Sequence, residues 1–161
     1  MAFPRLVLVA DKAVKNHRHH APAIERGILM TREYINPPGV PKRAHYTRVL
    51  TIDKPSKLVY IAGQTPADDK YQPVHAGDVR AQYIAVLAGL TLQLKAADAT
   101  WDDVVFRRMY AVDLPTFLKV MNDPTVLLPW DKARPSPSTL IGVTALSNPG
   151  FLIEVEIVAV V

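Results

Sequence analysis

The chain has 161 residues, 49% of them apolar and 21% charged, the balance of an ordinary soluble globule with room for one domain and a real core. It contains no cysteine, which excludes a disulfide framework, a thiolate nucleophile and any cysteine-ligated zinc or iron–sulfur centre. The formal charge of +4 and a pI near 9.4 come from basic residues scattered along the sequence, with Lys12 to Arg18 the one local concentration, so nucleic acid is not the expected partner.

No run of about 18 apolar residues occurs, so no membrane span is expected. The opening stretch, Met1 to Ala10, is apolar for only a few residues and is followed by charge, not by a small-residue cleavage site, so a cytoplasmic location is the default. Asn16-His-Arg-His-His20 precedes Ala21-Pro22, and Asn36-Pro-Pro-Gly-Val-Pro41 closes this region. Imidazole nitrogens suit zinc, nickel or copper. However, His17, His19 and His20 cannot all face one ion on a regular helix or strand, and a solvated polar turn with no metal is the expectation. Each proline fixes its own φ and pushes its predecessor away from helix, so residues 1–44 read as an arm or lid ahead of a domain at 45–161.

Tyr46 to Ile52 reads as a strand, Asp53 to Lys57 as a turn, and Leu58 to Ala62 as a second, fully apolar strand. That strand stops at Gly63-Gln-Thr-Pro66, a break where backbone can approach a ligand or another chain. After a polar loop, Asp78 is the N-cap of a helix reaching about Ala97, with Val79, Tyr83, Val86, Leu87, Leu90 and Leu94 on one stripe facing a sheet. Val104 to Val112 is a third strand in which Phe106, Arg108 and Tyr110 share one face and Arg107 takes the other. Asp113 caps a shorter helix, Leu114 to Asn122, carrying Phe117 and Val120 inward.

The last two strands are Ser138 to Leu146 and Phe151 to Val161, and Ser147-Asn-Pro-Gly150 between them predicts a hairpin or a short connection. In the final strand Ile153, Val155, Ile157 and Ala159 point to the core, while Leu152, Glu154, Glu156, Val158 and Val160 point the other way. Glu154 and Glu156 therefore lie on one face, roughly 7 Å apart. Two readings apply: a pair of structural carboxylates matched to arginines on a neighbouring strand, or a carboxylate at a pocket mouth acting as general base on water.

The order ββαβαββ, with an antiparallel hairpin at each end, describes an α+β sandwich: one mixed sheet covered by two helices on a single face. Its other face carries apolar residues and predicts a symmetric oligomer.

Asn36-Pro-Pro-Gly39, Tyr46-Thr47, Leu58-Val-Tyr-Ile-Ala-Gly-Gln64, the helix bearing Gln82, Trp101-Asp-Asp-Val-Val105, Val112-Asp113, Pro137-Ser-Thr139, Leu146 and Leu152-Ile-Glu-Val-Glu-Ile-Val-Ala159 follow one another in order. Over about Ile35 to Val161 this pattern resembles the YjgF/RidA (Rid, UK114) family. The resemblance implies a chorismate-mutase-like fold, a homotrimer with three clefts between subunits, and hydrolysis of enamine/imine intermediates such as 2-aminoacrylate without metal or cofactor.

Position by position, the resemblance makes Tyr46 and Glu154 the catalytic candidates, with Glu154 matching the glutamate that holds the attacking water. It places Ala62 where the family has serine, with Gly63 beside it, and sets Met121 or Asn122 at the family's asparagine. Thr139 and Leu140 continue the cleft. Ser138 stands where the family has the arginine that grips the substrate carboxylate. Serine offers neither the fork nor the charge of arginine, and the nearest cation in sequence, Arg134, lies behind Pro135 and Pro137. A small-molecule substrate other than 2-aminoacrylate is therefore expected, larger and less polar. Three classes of function follow: an enamine/imine deaminase or a divergent hydrolase or tautomerase of the same cleft; a non-catalytic trimer that binds a small molecule or partner; and an RNA-associated ribonuclease or translation inhibitor, favoured only by the pI.

Overall fold

A computed structural model describes residues 29–161. The histidines 17, 19 and 20 and the basic stretch 12–18 lie outside the described residues. Eight main elements follow in order: β1 Thr31–Ile35, β2 Val49–Asp53, β3 Leu58–Gln64, α1 Val79–Ala96, β4 Val104–Ala111, α2 Leu114–Asn122, β5 Ser138–Gly142 and β6 Ile153–Val160. A single 3-10 turn, Trp101–Asp103, precedes β4. The fold is α+β, with a mixed four-stranded sheet in the order β3-β6-β4-β5 and a separate two-stranded ribbon of β1 and β2.

Strand pairing differs from the expectation at both ends. The last two strands form no hairpin: β6 runs antiparallel between β3 and β4, and β5 lies parallel on the far side of β4. The connection from Gly142 to Ile153 is longer than the two to five residues typical of a hairpin loop, and it steps across the end of β4. The strand expected to reach Leu146 ends at Gly142 for the same reason. At the other end β2 pairs with β1, a strand inside the expected arm, and not with β3.

The helices match their local signals. Asp78 accepts a hydrogen bond from the Ala81 N–H at 2.9 Å, and Asp113 accepts one from the Thr116 N–H at 3.1 Å. Each satisfies a donor that the first turn leaves unpaired. Both helices cover one face of the sheet, and their edge-to-face contact, Tyr83 on Phe117, has ring centroids 5.0 Å apart. Among the described residues no helix is long and apolar enough to cross a membrane.

Arg32 on β1 holds the ribbon to the main body: it donates to the Val160 carbonyl at 2.6 Å and pairs with Asp103 at 3.2 Å. Gln82, wholly buried on α1, fastens two loops at once. Its amide nitrogen donates to the Val74 and Gly150 carbonyls at 3.1 and 2.8 Å, and its oxygen accepts from the Leu152 N–H at 2.8 Å. Gln82→Leu would leave these three backbone groups buried without partners. It is expected to cost about 2–4 kcal/mol, read from urea unfolding. A loss under about 0.5 kcal/mol, the range of a neutral surface change, would mean that water replaces the amide.

Candidate functional site

Alternation along β6 sends Ile153, Val155, Ile157 and Ala159 into the core and turns Glu154 and Glu156 to the opposite face of the sheet. On that face Glu154 is opposite Tyr110 of β4, and Glu156 is opposite Arg108. The two carboxylates differ in company. Glu156 forms an ion pair with Arg108. Glu154 has no hydrogen-bond or ion-pair partner among the described residues, and it is partly desolvated. Burial, with Glu156 adding repulsion, holds its carboxyl above the ordinary carboxylate range.

The cause of that burial lies on β3. The pairing of Ile61 with Ile157 and of Gln64 with Val155 means that β3 carries one extra residue at Ala62–Gly63. Such a bulge re-aims the backbone. It brings Gly63 beneath the Glu154 side chain, so closely that a Cβ at this position would lie 1.9 Å from Oε1 and 2.8 Å from Cδ. A side chain at 63 would therefore displace the Glu154 carboxylate from this position. Beyond it, Tyr110, Val143, Ala145 and Leu146 enclose with Glu154 an open hollow of about 400 Å³.

The other expected residues fall elsewhere in the chain. Tyr46 is half-buried with the Arg48 guanidinium 5.0 Å over its ring, next to Thr47, whose N–H donates to the Pro135 carbonyl at 3.2 Å. Met121 and Asn122 end α2 and line a hollow of about 310 Å³ with His45. Asn122 Oδ1 lies 2.9 Å from the His45 ring nitrogen Nε2. Thr139 is exposed and in register with Arg108, whereas Leu140 packs against the core. Arg134 is exposed and bound to Asp131 at 3.0 Å. Gly63 is thus the expected residue that the chain itself sets beside Glu154, whereas Ala62 lines a hollow with Glu156; Tyr46, Met121, Asn122 and Arg134 have other neighbours.

Ser138 pairs in parallel register with Arg107, so an arginine does stand beside the position where the resemblance places one. It belongs to the other side of the sheet. Arg107 shares the inward face with Met109 and Ala111 and is only 2% exposed. Burial lowers its pKa to about 10, and the Tyr83 phenol, itself pushed up to about 12 by burial, is the acidic group near enough to oppose that. That Arg107 takes the face opposite Phe106, Arg108 and Tyr110 was visible in the sequence, but that this face is the inward one was not.

A mixed sheet with two helices on one face defines the class: an α+β protein of the chorismate-mutase-like kind. The family model described as Endoribonuclease L-PSP matches residues 40–161, and the chain belongs to this YjgF/RidA (Rid) family. A RutC family protein of Saccharolobus solfataricus is 28% identical over 106 residues, 66% of this chain and 81% of that one. The structure of a protein of unknown function of the conserved Rid family, YyfB from Yersinia pestis, superposes with a TM-score of 0.68 at 29% identity, covering 81% of this chain and 98% of that one. A member of the YjgF/YER057c/UK114 family from Mycobacterium tuberculosis gives a TM-score of 0.52 at 30% identity over 81% of this chain and all of its own.

A pH test follows from the raised pKa of Glu154. The folded state holds this proton more tightly than the unfolded chain does, so ionisation costs stability. That cost is absent below the unfolded carboxyl range, near pH 4, and grows as pH rises through the folded pKa. Glu154→Gln removes it. The variant is therefore expected to match the wild type in urea unfolding at acid pH and to be the more stable protein at pH 8. A stability difference that does not change with pH would mark Glu154 as an ordinary solvated carboxylate.

Proposed function

We propose that the chain is a hydrolytic deaminase of reactive enamine/imine metabolites, or a divergent hydrolase or tautomerase using the same cleft, with Glu154 holding the attacking water. The contrast between the two glutamates carries this reading. Glu156 is neutralised by Arg108, whereas Glu154 is without a partner among the described residues, partly desolvated and set against bare backbone at Gly63. A carboxylate in that condition is a better proton acceptor than a solvated one. As water adds to the C=N carbon, Glu154 takes its proton and passes it to the nitrogen. The hydroxyl of the resulting carbinolamine then gives up its proton to the amine as the C–N bond breaks, releasing ammonia and leaving a carbonyl.

Membership of the Rid family supports this class of chemistry. Ser138 in place of the carboxylate-gripping arginine argues for a substrate other than 2-aminoacrylate, and Ala62 and Met121 for a less polar one. Assembly is part of the proposal. Leu58 and Tyr60, 56% and 76% exposed, stand with Phe106 and Val158 on the face the helices leave bare. A homotrimer covers such a face and forms clefts between subunits, where groups that one chain keeps apart can meet. The absence of arginine at 138 favours a second reading, a trimer that binds a small molecule without turning it over.

Light scattering is expected to give three times the chain mass of 17.8 kDa; a monomer at micromolar concentration would overturn the assembly. Ammonia release over a panel of enamines and imines separates the two functional readings. Glu154→Gln is expected to keep the trimer and lose roughly two to four orders of magnitude in turnover, while Glu156→Gln costs stability more than rate. Equal effects of both on turnover would reduce Glu154 to a structural carboxylate.

A further inference from the structure

Away from Glu154, on the helix side of the sheet, lies a cleft of about 430 Å³ whose lining includes Arg32, Trp101, Arg107, Trp130 and Arg134. Its charges are unequally matched. Arg32 is paired with Asp103, and Arg134 with Asp131. Arg107 has no carboxylate partner among the described residues. Its Nη2 donates to the carbonyls of His45 and Ser136, at 3.0 and 3.4 Å, and its guanidinium carbon sits 3.8 Å from the centroid of the Trp130 ring.

The N–H groups on Nε and Nη1 of Arg107 are buried and find no acceptor among the described residues, and neither does Nε of Arg32. Three of the four such orphan side-chain atoms thus belong to arginines lining this one cleft. Buried donors left unpaired are uncommon in folded proteins and ask for an absent acceptor. Asp102 at the rim is exposed and keeps its carboxylate in water.

We propose that this cleft is a binding site for a small monocarboxylate with a planar apolar body, its carboxylate on Arg107 and its body against the two indoles. One uncompensated charge calls for one negative charge, so a carboxylate fits better than a phosphate dianion. The planar fork of arginine matches the two carboxylate oxygens. Trp101 is fixed by its indole N–H, which donates to the Thr91 hydroxyl at 2.9 Å. Trp130, from the irregular segment between α2 and β5 and only partly buried, covers one face of the guanidinium. The rings of the two tryptophans are 5.5 Å apart, so an aromatic body meets both. The site lies on the opposite face of the sheet from Glu154 and does not depend on the hydrolytic reading.

Both tryptophans of the chain line this cleft, so fluorescence excited beyond the tyrosine absorption band reports on it. The full chain is titrated with benzoate, benzamide and phenyl phosphate at constant ionic strength. Benzoate is expected to give a saturable change, with benzamide roughly tenfold weaker or more, the scale of one lost charge-assisted bond. Arg107→Gln is expected to weaken benzoate by at least about tenfold on the same ground, whereas Arg80→Gln, which removes the same charge elsewhere, leaves it unchanged. No response to benzoate, equal response to benzamide, tighter binding of phenyl phosphate, or full binding by Arg107→Gln would each overturn the assignment. Should Arg107→Gln fail to fold, the three probes on the wild-type protein decide the matter alone.

Discussion

Everything in this fold that bears on function is placed by the alternation of side chains along β6. The strand is hydrogen-bonded on both sides, to β3 and to β4, and its inward residues Ile153, Val155, Ile157 and Ala159 are almost wholly buried. Burying each of the larger aliphatic side chains is worth about 1.5–3 kcal/mol. A slip of one residue would bring Glu154 and Glu156 into the core in their place, and an unpaired buried carboxylate costs far more than an aliphatic side chain gains. The register is therefore fixed by the core, and the outward position of the two glutamates follows from it without any contact of their own.

What separates the two glutamates comes from their neighbours. Arg108 neutralises Glu156 in a partly solvated ion pair. Its effect is on charge. Glu154 faces Tyr110 instead, and the extra residue in β3 presses Gly63 against it. Any other residue at 63 would drive the carboxylate away. The bulge, the glycine and the raised pKa are one feature seen at three levels: sequence, backbone and electrostatics.

The helices were legible in the sequence because their signals are local: Asp78 and Asp113 cap the first turns that follow them. The outward face of β6 was equally legible, since a period of two needs no partner. Partners were not. Ser147 to Gly150 has turn chemistry, but a turn does not say whether the strands it joins are neighbours, and here β4 lies between them. The ribbon partner of β2 lay in a proline-bounded stretch that reads as an arm. Candidate residues followed the same rule. Glu154 and Gly63 are brought together by adjacent strands, whereas Tyr46, Asn122 and Arg134 sit on loops and helix ends whose placement depends on distant contacts.

Among the described residues the sheet carries an unmatched charge on each face, Arg107 inward and Glu154 outward, and with the sheet between them they do not neutralise each other. For Glu154 the cost is limited by partial solvation. For Arg107 it is not, and stability alone would favour an apolar residue there, since replacing buried charge by well-packed hydrophobic groups is often neutral or stabilising. A structural role accounts for part of this side chain: Nη2 ties the carbonyls of His45 and Ser136 together, and Trp130 stacks on the guanidinium. A neutral amide would serve those carbonyls at smaller desolvation cost. The remaining nitrogens, and the charge itself, are left without a use inside the described residues, which is the condition of a group held ready for something that arrives from outside.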